Sequence, residues 1–149
     1  MMSTKSELPF PECDLREHPP RSPREMLAGL VLLPRTIDKA RAQLQGTLGD
    51  YKIGPGLSAY LLEWLGIAEP DFLAAVAELR DDEKIGAWVR ARSDPSAYAE
   101  INDRLLNRRI RDDQHRADVL TRYPGLADRP DLWNWFEILD YDDALTFAR

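Results

Sequence analysis

The chain carries one cysteine, Cys13, and two histidines, His18 and His115, in 149 residues. A lone cysteine closes no intramolecular disulfide, and three soft ligands this far apart lack the paired spacing of a structural zinc site, so no metal is expected. The N-terminus has no apolar signal-peptide core, and no uninterrupted apolar run is long enough to span a bilayer. The expectation is a soluble cytoplasmic protein with no membrane partner. Positive charge is short as well: Lys+Arg 20 against Asp+Glu 26 leaves a net charge of -6. General nucleic-acid binding is therefore disfavoured, because neutralising phosphates needs a positive field. No serine stands in a nucleophile-elbow motif and no pair of carboxylates can be placed across a cleft, so no catalytic residue and no cofactor are assigned.

What the chain does have is core-forming material. Hydrophobic residues make up 44% and charged residues 31%, an ordinary globular balance. A single domain of this length buries about 70% of its unfolded surface. Residues 1–21 contain Pro9, Pro11, Pro19 and Pro20 and read as an extended N-terminal arm pinned by Phe10 and Leu15; residues 22–149 read as a helical domain. Ser22-Pro23-Arg24-Glu25 fits a capping box, predicting a helix that carries Met26, Leu27, Leu30, Val31 and Leu33. Helical spacing recurs after Gly56 up to Gly66, after Pro70, after Asp81 or Asp82, and from Asp94-Pro95 towards Ile110. The polar run from Arg111 to Gln114 breaks the pattern, and Tyr123-Pro124-Gly125 stops it. Pro130 opens the last substantial segment, with Asp140 expected to cap a final short helix. No convincing strand alternation is visible. The fold class is all-α: a single compact domain of about six to eight helices.

The densest stretch runs from Leu33 to Gly56. Pro34 suits the first turn of a helix whose Ile37, Ala40 and Leu44 face a core, while Arg35, Asp38 and Arg41 mark the other side and Lys39 follows Arg35 by one turn. Gly46 or Gly49 ends it. Gly49 to Gly54 has P-loop glycine spacing, but Pro55-Gly56 stands where Lys and Ser/Thr must reach phosphate and magnesium. Gly54-x-Gly56-x-x-Ala59 matches the dinucleotide fingerprint loosely and lacks a βαβ context. What remains is a locally basic segment that can converge on the start of the helix at Leu57, giving a candidate carboxylate or phosphate site of Arg35, Asp38, Lys39, Arg41, Tyr51 and Lys52. The plain alternative is that these charges pair with one another or between helices.

Arg21-Ser22-Pro23-Arg24, Leu33-Pro34-Arg35, Ile37-Asp38-Lys39-Ala40-Arg41-Ala42, Gly46-x-x-Gly49-x-Tyr51, Leu61-Leu62-x-Trp64-Leu65-Gly66 and the Trp88-Val89 helix together resemble an uncharacterised bacterial family, domain of unknown function five-zero-six-nine. The resemblance spans most of the chain and implies a small soluble bacterial domain of unassigned activity. Where that resemblance leads one to expect a Cys-Pro-Leu-Asp type of turn after the tyrosine, Gly54-Pro55-Gly56-Leu57-Ser58 stands here, which argues against thiol chemistry at the turn.

Other groups favour structural roles. Cys13 and His18 lack an orienting partner for nucleophilic catalysis. Asp140-x-Asp142-Asp143 lacks the glycine and glutamate of a calcium loop. The leading expectation is a non-catalytic domain acting through a protein partner or self-association, with an exposed Trp133 or Trp135 as the signal to seek. The alternative is a small-molecule sensor or enzyme using the basic segment, in which Asp38 orients the cations and Tyr51 donates a hydrogen bond.

Overall fold

A computed structural model describes residues 8–148; the first seven residues of the expected arm lie outside that range. Among the described residues there are seven α-helices and one two-stranded hairpin: β1 (Met26–Leu27), β2 (Leu30–Val31), α1 (Leu33–Gln45), α2 (Leu57–Leu65), α3 (Glu69–Leu79), α4 (Asp82–Ala91), α5 (Tyr98–Leu106), α6 (Asp113–Arg122) and α7 (Trp135–Thr146). The helical class agrees with the sequence reading.

The helix at residues 26–33 does not form. Ala28 and Gly29 take φ of 56° and 87°, the doubly positive pair that a tight two-residue hairpin turn demands. Met26 pairs with Val31 and Leu27 with Leu30. Tertiary partners claim the groups that the capping box would have used. The Ser22 hydroxyl donates to Asp140 Oδ1 at 2.9 Å, and Asn102 of α5 accepts from the Val31 amide and donates to the Gly29 carbonyl. The open strand edge is thus satisfied by a side chain from α5, which packs against β2, and Leu30 and Val31 are buried.

α1 lies at the centre and packs against α2, α3, the hairpin and the turn at Pro11–Cys13. Every residue from Leu33 to Ala42 is buried except Lys39, which is half-buried. The expected two-faced helix is therefore enclosed on its charged side too. It emerges in its last turn, where Leu44, expected inside, is exposed. Gly46 closes it: the Thr47 amide donates to Ala42 and the Gly46 amide to Gln43, the paired bonds of a glycine-terminated helix. Gly66 ends α2 in the same way.

The chain from Phe10 to Leu15 lies across α1. Phe10, Cys13 and Leu15 are buried, and the Gln45 side-chain amide bonds both backbone groups of Phe10 at 2.8 Å.

α5 stops at Leu106, short of Ile110. Arg109 bridges to Asn134, and Ile110 is buried in a second apolar cluster with Val119, Leu126, Leu132 and Ile138. Asn134 caps α7, accepting from the Phe136 and Glu137 amides. One continuous helix follows, so Asp140 lies inside it and caps nothing. The larger core joins the hairpin to α1–α5 and takes Phe136 from α7, so α7 contributes to both clusters.

Candidate functional site

The charges of α1 divide between two sites. On one side, Asp38 and Arg41 meet Arg21 from the N-terminal segment and Asp82 from α4. Arg21 bonds Asp38 at 3.0 Å and Asp82 at 2.7 Å; Arg41 bonds Asp82 at 3.0 Å and lies 3.8 Å from Asp38. The four groups close a ring of alternating sign at the floor of a cleft of about 820 Å³, whose walls include His18, Arg80 and Glu83. Burial alone would raise the Asp82 carboxyl, but Arg21 and Arg41 outweigh it and hold the group below its usual range. Burial likewise opposes the Arg21 charge, and Asp82 and Asp38 more than compensate, so its proton is held more firmly than in a free arginine. The Arg41 and Arg80 guanidiniums also lie over the Phe10 ring, at 5.6 and 4.8 Å. The ring is charge-balanced and ties three segments together.

Cys13 sits beneath it. Its thiol donates to Asp38 Oδ1 at 3.7 Å and is pushed up to about 12, first by burial and then by the Asp38 charge. A thiol so protonated is no nucleophile at neutral pH. His18 Nδ1 lies 2.9 Å from the Pro19 carbonyl oxygen rather than against the cysteine.

On the other side of α1, Arg35 is 1% exposed and forks onto Asp143 of α7, with Nη1 donating to Oδ2 at 2.7 Å and Nη2 to Oδ1 at 3.3 Å. The Tyr51 hydroxyl donates to the same carboxylate at 2.7 Å, and its ring lies under the Arg35 guanidinium at 5.6 Å. Burial, followed by the bond to Asp143, pushes the Tyr51 hydroxyl well above its ordinary range. Asp142 is also raised, by burial and then by the Asp143 charge. Lys39, one turn after Arg35, is brought down to about 7 by burial and then by the Arg35 charge, with Asp143 opposing. Tyr51 also lines a smaller hollow of about 370 Å³ with Gly49, Asp50 and Phe147.

Of the six residues expected to form one anion site, Arg35, Lys39 and Tyr51 gather around Asp143, Asp38 and Arg41 belong to the ring, and Lys52 is exposed apart from both. No hydrogen bond from these side chains reaches the start of α2; that end is tied to α1 by the Thr36 hydroxyl, which donates to Ser58 at 2.9 Å. Sequence reasoning missed Arg21, Asp82 and Asp143 as partners. Arg21 stood in a quoted motif, but nothing local marked its distant carboxylates.

The sequence profile of an uncharacterised family, described as Domain of unknown function (DUF5069), matches residues 17–145, which takes in α1 and both charge clusters. The chain belongs to this family. A search of curated proteins returns no match. The DUF5069 region includes every helix, apart from the final residue of α7. Among the described residues no three His, Cys, Asp or Glu side chains gather as a metal site, and no helix is long and apolar enough to cross a membrane.

A third feature is on the surface. Tyr60 and Trp64 of α2 stack with ring centroids 5.9 Å apart, Arg108 covers Tyr60 at 4.5 Å and Arg104 covers Trp64 at 5.8 Å. Tyr60 is 38% and the nearby chain end of α5, Leu106, 37% exposed. Trp64 is half-buried against the larger core, as Trp133 and Trp135 are against the second apolar cluster.

Proposed function

We propose that this domain acts by association rather than turnover, presenting the α2–α5 face to a protein partner with an acidic surface. The observation that carries this is the Tyr60–Trp64 stack roofed by Arg104 and Arg108. Tyr, Trp and Arg are the side chains that dominate binding hot spots, and stacked rings lose little freedom on docking. Arg104 already pairs with Glu100 at 2.9 Å, so selection of an acidic counterpart, which includes the acidic surface of a second copy, falls to Arg108. The alternative, an anion pocket within residues 35–57, draws less support. Arg35 and Arg41 each already hold a carboxylate at 2.7 to 3.0 Å, so an incoming anion would have to displace it.

The test compares wild type with Tyr60→Ser/Arg108→Glu by light scattering at low and high salt, and by quantitative affinity capture. Loss of one hot spot is worth about 2 kcal/mol, or about thirtyfold in Kd. A wild-type dimer lost in the variant identifies the partner as a second copy. Unchanged mass and an unchanged set of captured proteins refute the reading.

A further inference from the structure

We propose that His115 is a proton-operated latch: the neutral ring ties the first turn of α6 to the segment before it, and the charged ring lets go. The latch stands independently of the α2–α5 face.

Two bonds running in opposite directions open α6. The Asp112 side chain accepts from the His115 amide at 2.8 Å, the ordinary bond of an N-cap. The His115 ring reaches back, and its Nδ1 accepts from the Arg111 amide at 3.1 Å. A capping box has this reciprocal shape, with Glu or Gln as the residue that reaches back. Here that residue is a histidine, whose acceptor disappears when it takes up a proton. An amide N–H aimed at Nδ1 requires that nitrogen to be bare, so the neutral ring carries its hydrogen on Nε2.

The latch closes a junction of three segments. Just before Arg111, the chain runs against the entrance to α7: the Ile110 amide donates to the Trp133 carbonyl at 2.9 Å and the Trp135 amide to the Arg108 carbonyl at 3.0 Å. The half-buried imidazole lies against the Trp135 ring, with centroids 6.3 Å apart and planes tilted by 51°. Opening the Arg111 bond therefore loosens the start of α6 where it joins the segment that leads into it.

The charged groups around the ring come from each neighbouring segment. Asp112, Asp113 and Asp118 of α6 and its cap are exposed, as is Arg111 before them. Arg116 is engaged by the carbonyls of Leu126, Arg129 and Leu132. From α7 the ring meets Trp135, and Glu137 beyond it is exposed; Tyr123, at the end of α6, packs edge-on against Trp135. Asp128, in the turn after α6, is exposed. The exposed carboxylates attract an imidazolium weakly through water, and the positive end of α6 opposes it. Neither effect keeps the latch shut. Both nitrogens of a charged ring are donors, so no flip restores an acceptor for Arg111, and a turn of the ring towards a carboxylate abandons Arg111 as well. His18 is the internal contrast. Its Nδ1 lies 2.9 Å from the Pro19 carbonyl oxygen and donates to it, a bond that survives protonation.

Histidine is the side chain that ordinarily changes charge between pH 5 and 8, which sets the window of the experiment. The full chain labelled with nitrogen-15 is followed by NMR from pH 8 to pH 5. Long-range spectra of the imidazoles report which ring nitrogen is bare, and the solvent exchange of the Arg111 amide is divided by the rate for an unstructured peptide at each pH. The expected result is a bare His115 Nδ1 at pH 8 and a protection of the Arg111 amide that falls about fivefold, the worth of one hydrogen bond, in step with charging of the ring. His115→Gln, whose side-chain oxygen accepts at every pH, is expected to hold that protection throughout. A neutral ring with its hydrogen on Nδ1 overturns the proposal, and so does a ring that stays neutral down to pH 5. Protection that is unchanged while the ring charges, or that is lost equally in His115→Gln, overturns it too.

Discussion

Asp143→Ala tests whether the contact between α1 and α7 is what holds the two apolar clusters in one body. Three hydrogen bonds end on this carboxylate: from Arg35 Nη1 at 2.7 Å, Arg35 Nη2 at 3.3 Å and the Tyr51 hydroxyl at 2.7 Å. Without it, the Arg35 guanidinium keeps one bond, from Nη1 to the Arg21 carbonyl at 3.3 Å, while its Nε is already buried without a partner. An uncompensated charge at 1% exposure cannot be rehydrated without opening the helix contact. Breaking a buried pair costs about 3–5 kcal/mol, a large part of the about 5–15 kcal/mol available to a domain. At about 2–4 °C per kcal/mol for this size, the melting temperature falls by about 10 °C. Arg35→Met/Asp143→Leu removes both charges and is expected to recover most of the loss. Guanidinium unfolding followed by circular dichroism and tryptophan fluorescence, with an unchanged slope, gives the four corners of the cycle. A single substitution costing under about 1 kcal/mol, the value of a surface pair, would falsify the reasoning, as would a double variant as unstable as the two losses added.

Gly49→Ala is expected to cost about 1–2 kcal/mol, since Gly49 sits at φ of 60° and a Cβ there meets the Leu15 backbone oxygen at 3.1 Å; chemical denaturation showing no loss removes the argument for this turn. Lys39→Met reports pH linkage. The folded amine sheds its proton near pH 7 while the unfolded chain keeps one up to about 10.4, so between these values the unfolded state binds more protons and this group's contribution to stability rises with pH. Cys13 and Tyr51, both raised, pull the other way once their unfolded values are passed, so the contrast between wild type and variant is the readout. The variant is expected to be more stable than wild type at pH 7 by at least about 1 kcal/mol, with the difference shrinking towards pH 10. A difference that stays constant over that range contradicts a neutral folded Lys39.

The elements that could be read from the chain are those fixed by neighbours within a turn or two. Gly46 and Gly66 end helices, Asp81 and Asp94 cap the segments that follow them, and Phe72, Val76, Ile85, Val89, Ile101 and Leu105 are inside. Each depends on backbone amides or side chains at most four or so positions away. The capping box at Ser22 failed for the opposite reason. Its local logic was sound, but the hydroxyl found Asp140, 118 residues later, and the hairpin found Asn102.

The candidate site shows the same division more sharply. Arg35, Asp38 and Arg41 were picked out as a candidate anion site or, alternatively, as internal ion pairs, and the spacing suggested one side of α1, whereas Arg35 pairs on one side and Asp38 with Arg41 on the other. Whether each charge met solvent, a ligand or protein was decided by residues 108 positions away in the case of Asp143 and 41 in the case of Asp82. Periodicity gives the direction of a side chain and leaves open what stands opposite. The sequence by itself determined the helical class, the helix ends at Gly46, Gly66, Asp81 and Asp94, and the family to which the chain belongs. Tertiary structure decided that the charged residues of α1 are interior and that its arginines are consumed as internal ties, Arg35 to Asp143 and Arg41 to Asp82. Helix propensity and capping are short-range, whereas the worth of a charge depends on the dielectric and the partners that only the packed chain supplies.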